Sequence, residues 1–333
     1  MPRFSALLYA TTVLGILCSA LVATARGGEP PKPVPVILDS DIGDDIDDTW
    51  ALALLLKSPE VDLRLVVTDQ GKAAYRARIV AKFLERAGRT DVAVGLGVGP
   101  NPTGGGGQSP WVEGYDLKAY PGKVHEDGVQ ALIDTVMNSP EPVTIVAIGP
   151  VPTLAAALER EPRIAQKARF VGMHGSVRLG YSGKAKPDAE YNVKANAKAC
   201  QKVFTAAWDM TITPLDTCGL VHLKGEKYAA VRDSKDPVAA ALIENYRIWC
   251  GKDPKRADSA SSVLYDPVAA YLSFATDLVK IEKLGIRVTD DGMTVIDPAA
   301  KVMNVATEWK DMAGFEDFLV KRLTGPTVPA LKR

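Results

Sequence analysis

The chain has 333 residues, with 40 basic and 40 acidic side chains and a formal net charge of zero at pH 7. That balance gives no electrostatic footing for nucleic-acid or anionic-membrane binding. About 300 residues follow an apolar leader, a length that is large for one domain but ordinary for a large α/β fold.

Residues 1–25 read as a secretory signal peptide. Arg3 supplies a small positive start, Ala6 to Val22 is almost continuously apolar, and Ala23-Thr24-Ala25 is a small-x-small cleavage site. The run is short for a membrane span and no later run reaches the length needed. An exported protein, periplasmic or secreted, without membrane association in its mature form is therefore expected. Residues 26–35, rich in Gly and Pro, read as a flexible lead-in, and residues 36–325 as a single domain. Cys200, Cys218 and Cys250 remain after cleavage; at most one disulfide can form, and its pairing is not fixed. His125, His174 and His222 do not offer a zinc spacing.

Val36-Ile37-Leu38 reads as a buried strand, and Thr49 to Leu56 as the start of a helix packed on it. Between and around them, Asp39, Asp41, Asp44, Asp45, Asp47 and Asp48 put six acids into ten residues. The acids sit at the carboxyl end of a strand, where open α/β sheets place their ligands. Their mutual repulsion is tolerable if they are well solvated or if a cation sits among them. A hard divalent cation held by carboxylate oxygens meets that need.

Further along, strand-like runs at 63–68, 92–95, 143–148 and 168–173 alternate with helical patterns at 73–87, 129–137 and from 153. This alternation predicts a mostly parallel sheet covered on both faces. Asn101 to Ser109, with four consecutive glycines, reads as a mobile loop and a candidate lid. Leu179 to Pro187 is a second loop. Residues 234–262 read as a polar helical insertion or cap. Trp50, Trp208 and Trp249 read as packing residues, and His174 as a structural histidine near a strand end.

Asp39-Ser40-Asp41-Ile42-Gly43, followed by Asp47-Asp48-Thr49-Trp50-Ala51-Leu52, resembles the amino-terminal signature of the inosine-uridine nucleoside hydrolases. Three further segments resemble that family in its order. They are Ile148-Gly149-Pro150-Val151-Pro152-Thr153-Leu154-Ala155, Lys186-Pro187-Asp188-Ala189-Glu190-Tyr191-Asn192-Val193 and Leu264-Tyr265-Asp266-Pro267-Val268-Ala269. Together the matches span residues 36–270. The resemblance implies a doubly wound α/β fold with a helical cap, a homo-oligomer, and calcium-dependent hydrolysis of the N-glycosidic bond of a ribonucleoside or related ribosyl compound.

Such chemistry builds positive charge on the sugar and needs a base to direct water at C1′. By resemblance, Asp41 is the general base and touches the metal. Asp48, Asp266 and the carbonyl of Pro152 complete the metal cage. Glu190 and Asn192 bind ribose hydroxyls, both facing one side of an extended segment. Asp39 and Asp47 help hold the sugar or orient the ligands, and Met173 packs under the sugar.

Two departures from the family pattern stand out. The Asp-Asp pair lies six and seven residues after Asp41 rather than four and five, and Asp44-Asp45 is a competing pair. Tyr265 replaces the histidine that in many members protonates the leaving base, and tyrosine is the weaker acid. Asp69 and Gln70 stand near an expected asparagine, as does Lys184 near another, so base preference is not legible. Two other classes share parts of the pattern. A haloacid dehalogenase-type phosphatase would use Asp39 as nucleophile and Asp41 as acid. A nucleoside- or ribose-binding protein would keep the metal and sugar contacts without turnover.

Overall fold

A computed structural model describes residue 1 and residues 32–251, 253–326 and 328–330. The expected signal peptide, beyond residue 1, and residues 26–31 of the lead-in lie outside the described residues. By its contacts Pro33–Arg333 groups into one unit and Met1–Lys32 into another.

The first half alternates strand and helix: β1 (Val34–Ser40), α1 (Asp47–Leu56), β2 (Val61–Thr68), α2 (Ala73–Arg86), β3 (Ala93–Gly95), β4 (Val124–His125), α3 (Gly128–Met137) and β5 (Val143–Ala147). Next come α4 (Pro152–Arg160), α5 (Ile164–Lys167), β6 (Ala168–Met173), α6 (Tyr191–Ala195), α7 (Ala197–Thr205) and β7 (Met210–Thr213). The chain ends with α8 (Gly225–Arg232), α9 (Pro237–Trp249), α10 (Pro254–Ser259), α11 (Asp266–Leu272), β8 (Val279–Val288), β9 (Thr294–Ile296), β10 (Val302–Trp309) and α12 (Met312–Thr324).

All ten strands join one sheet in the order β4-β3-β2-β1-β5-β6-β7-β10-β8-β9. Pairing is parallel from β4 through β10 and antiparallel for β10 with β8 and β8 with β9. The chain winds outward from β1 on one side, then returns to place β5 on its other side. The junction of β1 and β5 is thus the switch point where a crevice opens at the strands' carboxyl ends.

Side-chain alternation in β1 feeds both faces of the sheet. Val36 and Leu38 belong to a core shared with α1, α2, α9, α11 and α12, whereas Ile37 joins the core beneath α3, α4 and α7. β1 begins two residues earlier than expected, inside the segment read as lead-in. Val34 and Pro35 pair with β2 alone, and pairing with β5 starts at Val36. Pro35, which lacks an N–H, therefore sits where β1 has a neighbour on one side only.

Helix α1 is buried on every side, which explains its unbroken apolar run. Within 234–262 a helix forms as expected, but the body of α9 is not a polar cap. Val238, Ala241, Leu242, Ile243 and Tyr246 are buried in the main core, and only its end reaches the crevice. Cys200, Cys218 and Cys250 are all free. Among the described residues no helix is long and apolar enough to cross a membrane.

Candidate active site

A cavity of about 390 Å³ opens at the switch point. Asp41, Asp47, Asp48 and Asp266 line it together with Met173, Glu190 and Asn192. Tyr265, Tyr181, Tyr191 and Trp249 form an aromatic wall.

Asp47 and Asp48 occupy the first turn of α1, and Asp266 that of α11. Both helices therefore aim the positive ends of their dipoles at the site, which favours carboxylates there. Asp266 N donates to Asp47 Oδ2 at 3.3 Å, and Ser40 Oγ donates to Asp48 Oδ1 at 2.6 Å. One carboxylate oxygen from each of Asp47, Asp48 and Asp266 lies within 4.8 Å of the others, and all three residues are buried.

Burial, then repulsion from neighbouring aspartates, pushes the pKa of each of the three well above the ordinary carboxylate range in the ion-free protein. Three buried acids so close together call for a compensating cation. Their oxygen-only donor set, with no thiolate or imidazole, suits a hard divalent ion such as Ca²⁺ or Mg²⁺.

Asp41 lies beside this cluster. Burial raises its pKa to about 7; Arg76 pulls it down, while Asp69 and Asp44 push it up. Gly149 leaves it room, since a Cβ there would stand 3.0 Å from both Asp41 N and Asp41 Oδ1. Asp44, part of the competing pair, is otherwise engaged. It forms ion pairs with Lys72 and Arg76, both at 2.8 Å. Its pKa falls because those contacts outweigh its partial burial. Asp45 lines the cavity, its Oδ1 accepting from Ile46 N at 2.7 Å.

Glu190 and Asn192 are both buried, but the segment is not extended as expected. Glu190 caps α6, its Oε1 accepting from Asn192 N at 2.7 Å and its Oε2 from Gly175 N at 2.9 Å and Val193 N at 3.2 Å. The capping preference of a carboxylate overrides strand geometry here. Burial nevertheless raises its pKa to about 7 against those N–H groups. Asn192 Nδ2 donates to Met173 O at 3.0 Å and Ile148 O at 3.2 Å, so its Oδ1 is the group it can offer a ligand.

Two expected site residues stand elsewhere. Asp39 does not line the cavity. It lies within β1 between Val67 and Ala147, fully buried, with neither carboxylate oxygen hydrogen-bonded. Pro152 opens α4 and is not among the residues that line the cavity. His174 is structural: buried, its Nε2 lies 3.0 Å from Gly149 O.

Sequence reading missed Trp249, Tyr181, Tyr191 and Ile148 as cavity residues, and Asp69 as an anchor. Asp69 accepts from Val151 N at 2.6 Å and Thr153 N at 3.0 Å, tying β2 to the start of α4. An acid directly after a buried strand was the available signal for Asp69. The aromatic residues carry no local signal, because only the fold brings them together.

The model of the family described as inosine-uridine preferring nucleoside hydrolase matches residues 36–317. The chain belongs to that family. Members hydrolyse the N-glycosidic bond of ribonucleosides, which sets aside the phosphatase and the non-catalytic readings. A nucleoside hydrolase from Citrobacter koseri, named pyrimidine-specific ribonucleoside hydrolase RihA, is 29% identical over 87% of this chain and 98% of its own. A rice protein described as a probable uridine nucleosidase is 27% identical over 86% of this chain and 89% of its own. The same fold occurs in a plant nucleoside hydrolase at 23% identity, with a TM-score of 0.74 over 89% of this chain and 100% of that one. A purine-preferring ribonucleoside hydrolase from Gardnerella vaginalis gives a TM-score of 0.71 at 23% identity, over 87% of this chain and 98% of that one.

Proposed function

We propose that this nucleoside hydrolase is an exported, calcium-dependent enzyme that cleaves pyrimidine ribonucleosides to ribose and free base. The observation that carries the metal is the buried triad of Asp47, Asp48 and Asp266 next to Asp41 at one end of the cavity. Pyrimidine preference follows the named specificity of relatives that align over almost their whole length.

Bound by Asp48, Asp266 and Asp47, a calcium ion would supply positive charge to acidify water and oxygen-seeking coordination for a vicinal diol. Asp41 takes the proton of the water that attacks C1′, the electrons of the C1′–N bond leave with the base, and the base takes up a proton from solvent as Asp41 returns its own. A pKa near neutrality suits it to that task. Positive charge growing on the sugar ring is stabilised by the surrounding carboxylates. Glu190 and Asn192, the latter in contact with Met173, fix the ribose. On the leaving-group side, Tyr265 meets Tyr181 edge-to-face, with ring centroids 6.2 Å apart. Burial, then Asp47, pushes the Tyr265 hydroxyl up from its ordinary value, so Tyr265 serves as a hydrogen-bond donor and stacking surface rather than as a strong acid.

Reducing-sugar release from uridine, cytidine, inosine and adenosine tests this reading. Uridine and cytidine should be cleaved fastest, with activity lost in chelator and restored by calcium. Full activity in chelator would refute the metal, and faster purine release would refute the substrate class.

A further inference from the structure

Five consecutive backbone carbonyls of the acidic turn accept hydrogen bonds from side chains elsewhere in the fold. Arg76 of α2, fully buried, donates through Nη1 to Asp41 O and, at 2.9 Å, to Ile42 O. Its Nε donates to Gly71 O at 2.9 Å and its Nη2 to Asp44 Oδ2 at 2.8 Å. Tyr75 Oη donates to Gly43 O at 2.9 Å, Trp249 Nε1 to Asp44 O at 2.9 Å and Gln108 Nε2 to Asp45 O at 2.8 Å. Gln108 N in turn donates to Tyr75 Oη at 3.1 Å, joining the end of the glycine loop to α2.

Between β1 and α1 the turn has no ladder of its own, so these side chains decide where its backbone runs. Left alone, the carboxylates it carries would drive each other apart. We propose that Arg76 and Trp249 are positioning residues for the metal site, holding the turn in the form that brings Asp41 and Asp48 to Asp266. Trp249 also lines the cavity, so it ties that form to the aromatic wall, and by linkage occupancy of the wall and of the metal site favour one another. The inference rests on Asp47, Asp48 and Asp266 being the cation site.

The sign of the effect separates positioning from charge. As a bare positive charge, Arg76 repels a cation, and its removal would tighten metal binding. As a fork holding several carbonyls, it favours metal binding, and a lysine cannot replace it. Calorimetric titration of the purified protein with calcium decides the matter, using Arg76→Lys, Arg76→Gln and Trp249→Phe. The last keeps the ring and loses the N–H.

Outer contacts of this kind are worth about 10–100-fold in metal affinity, expected for both Arg76 variants, with Trp249→Phe, which loses one such contact, at the low end of that range. Saturating calcium should restore uridine turnover in Arg76→Lys, which a general folding defect would not allow. Should Arg76→Gln fail to fold, Arg76→Lys and Trp249→Phe carry the test. Wild-type calcium affinity in those two, or tighter binding in Arg76→Gln, overturns the inference. A wild-type protein that takes up no calcium removes the cation site itself, a failure visible before any variant is made.

Discussion

Asp41 reaches the cavity because the residues around it give way. Gly43 takes φ +116°, and a Cβ on it would stand 2.7 Å from the Tyr75 ring, so the turn passes over α2 only with glycine there. On the leaving-group side, tyrosine in place of a stronger acid sets a modest expectation. Tyr265→Phe should lower kcat for uridine by about 10-fold or less, because a hydrogen bond is lost and not a general acid. A loss of a thousandfold would make Tyr265 the proton donor.

His174 offers a residue-scale test of the scaffold. Burial lowers its pKa from the ordinary 6.5 to about 4, opposed by its contact with Gly149 O. A depressed folded-state pKa means stability present above the unfolded value and lost as pH falls from about 6.5 to about 4. His174→Gln should remove that loss, on the order of 3 kcal/mol, from the difference between the two unfolding curves. Parallel curves across that window would show that the imidazole titrates normally.

Among the elements, α1 and α11 matter most, since their first turns carry the clustered acids. Gly43→Ala, which forces the turn feeding α1 out of its path, should cost about 2–3 kcal/mol and lower Tm accordingly. A Tm within a degree of wild type would mean that the turn has an alternative route.

β1, β2 and β5 were legible because each is a short apolar run followed by a helical pattern, and β6 because its run is mostly apolar. By contrast β4, two half-buried residues, carried no such signal. Asp47-Asp48 against Asp44-Asp45 was the harder choice. Spacing alone leaves it open, whereas the structure occupies Asp44 with Lys72 and Arg76 and gathers Asp47 and Asp48 with Asp266. The antiparallel end was not legible: β8 mixes buried and exposed positions without a regular period, and its charges mask the strand. Trp249 was invisible as a cavity residue, because its partner Asp44 O lies 205 residues away in the chain.

Over the whole molecule, the acids at the switch point make stability depend on metal and pH together. In the ion-free protein the pKa values of Asp47, Asp48 and Asp266 are raised well above 3.8, and that of Asp41 to about 7. Carboxyls with raised folded-state pKa values contribute stability that is present below the unfolded value and lost as pH rises. In excess chelator, Tm should therefore fall by several degrees between about pH 5 and about pH 7.5. Saturating calcium should cancel that fall, because it binds the ionised, folded form. A Tm in chelator that ignores pH, and does not respond to calcium, would contradict the burial of these charges.

The most direct test of the account is the rate of ribose release from uridine in saturating calcium, measured for the wild-type protein beside Asp41→Asn. Turnover by the wild type and a fall in kcat of about 10²–10⁴-fold in the variant, with its Tm retained, are expected. Equal rates in the two proteins would mean that another group takes the water's proton, and no ribose from either would contradict the assigned reaction.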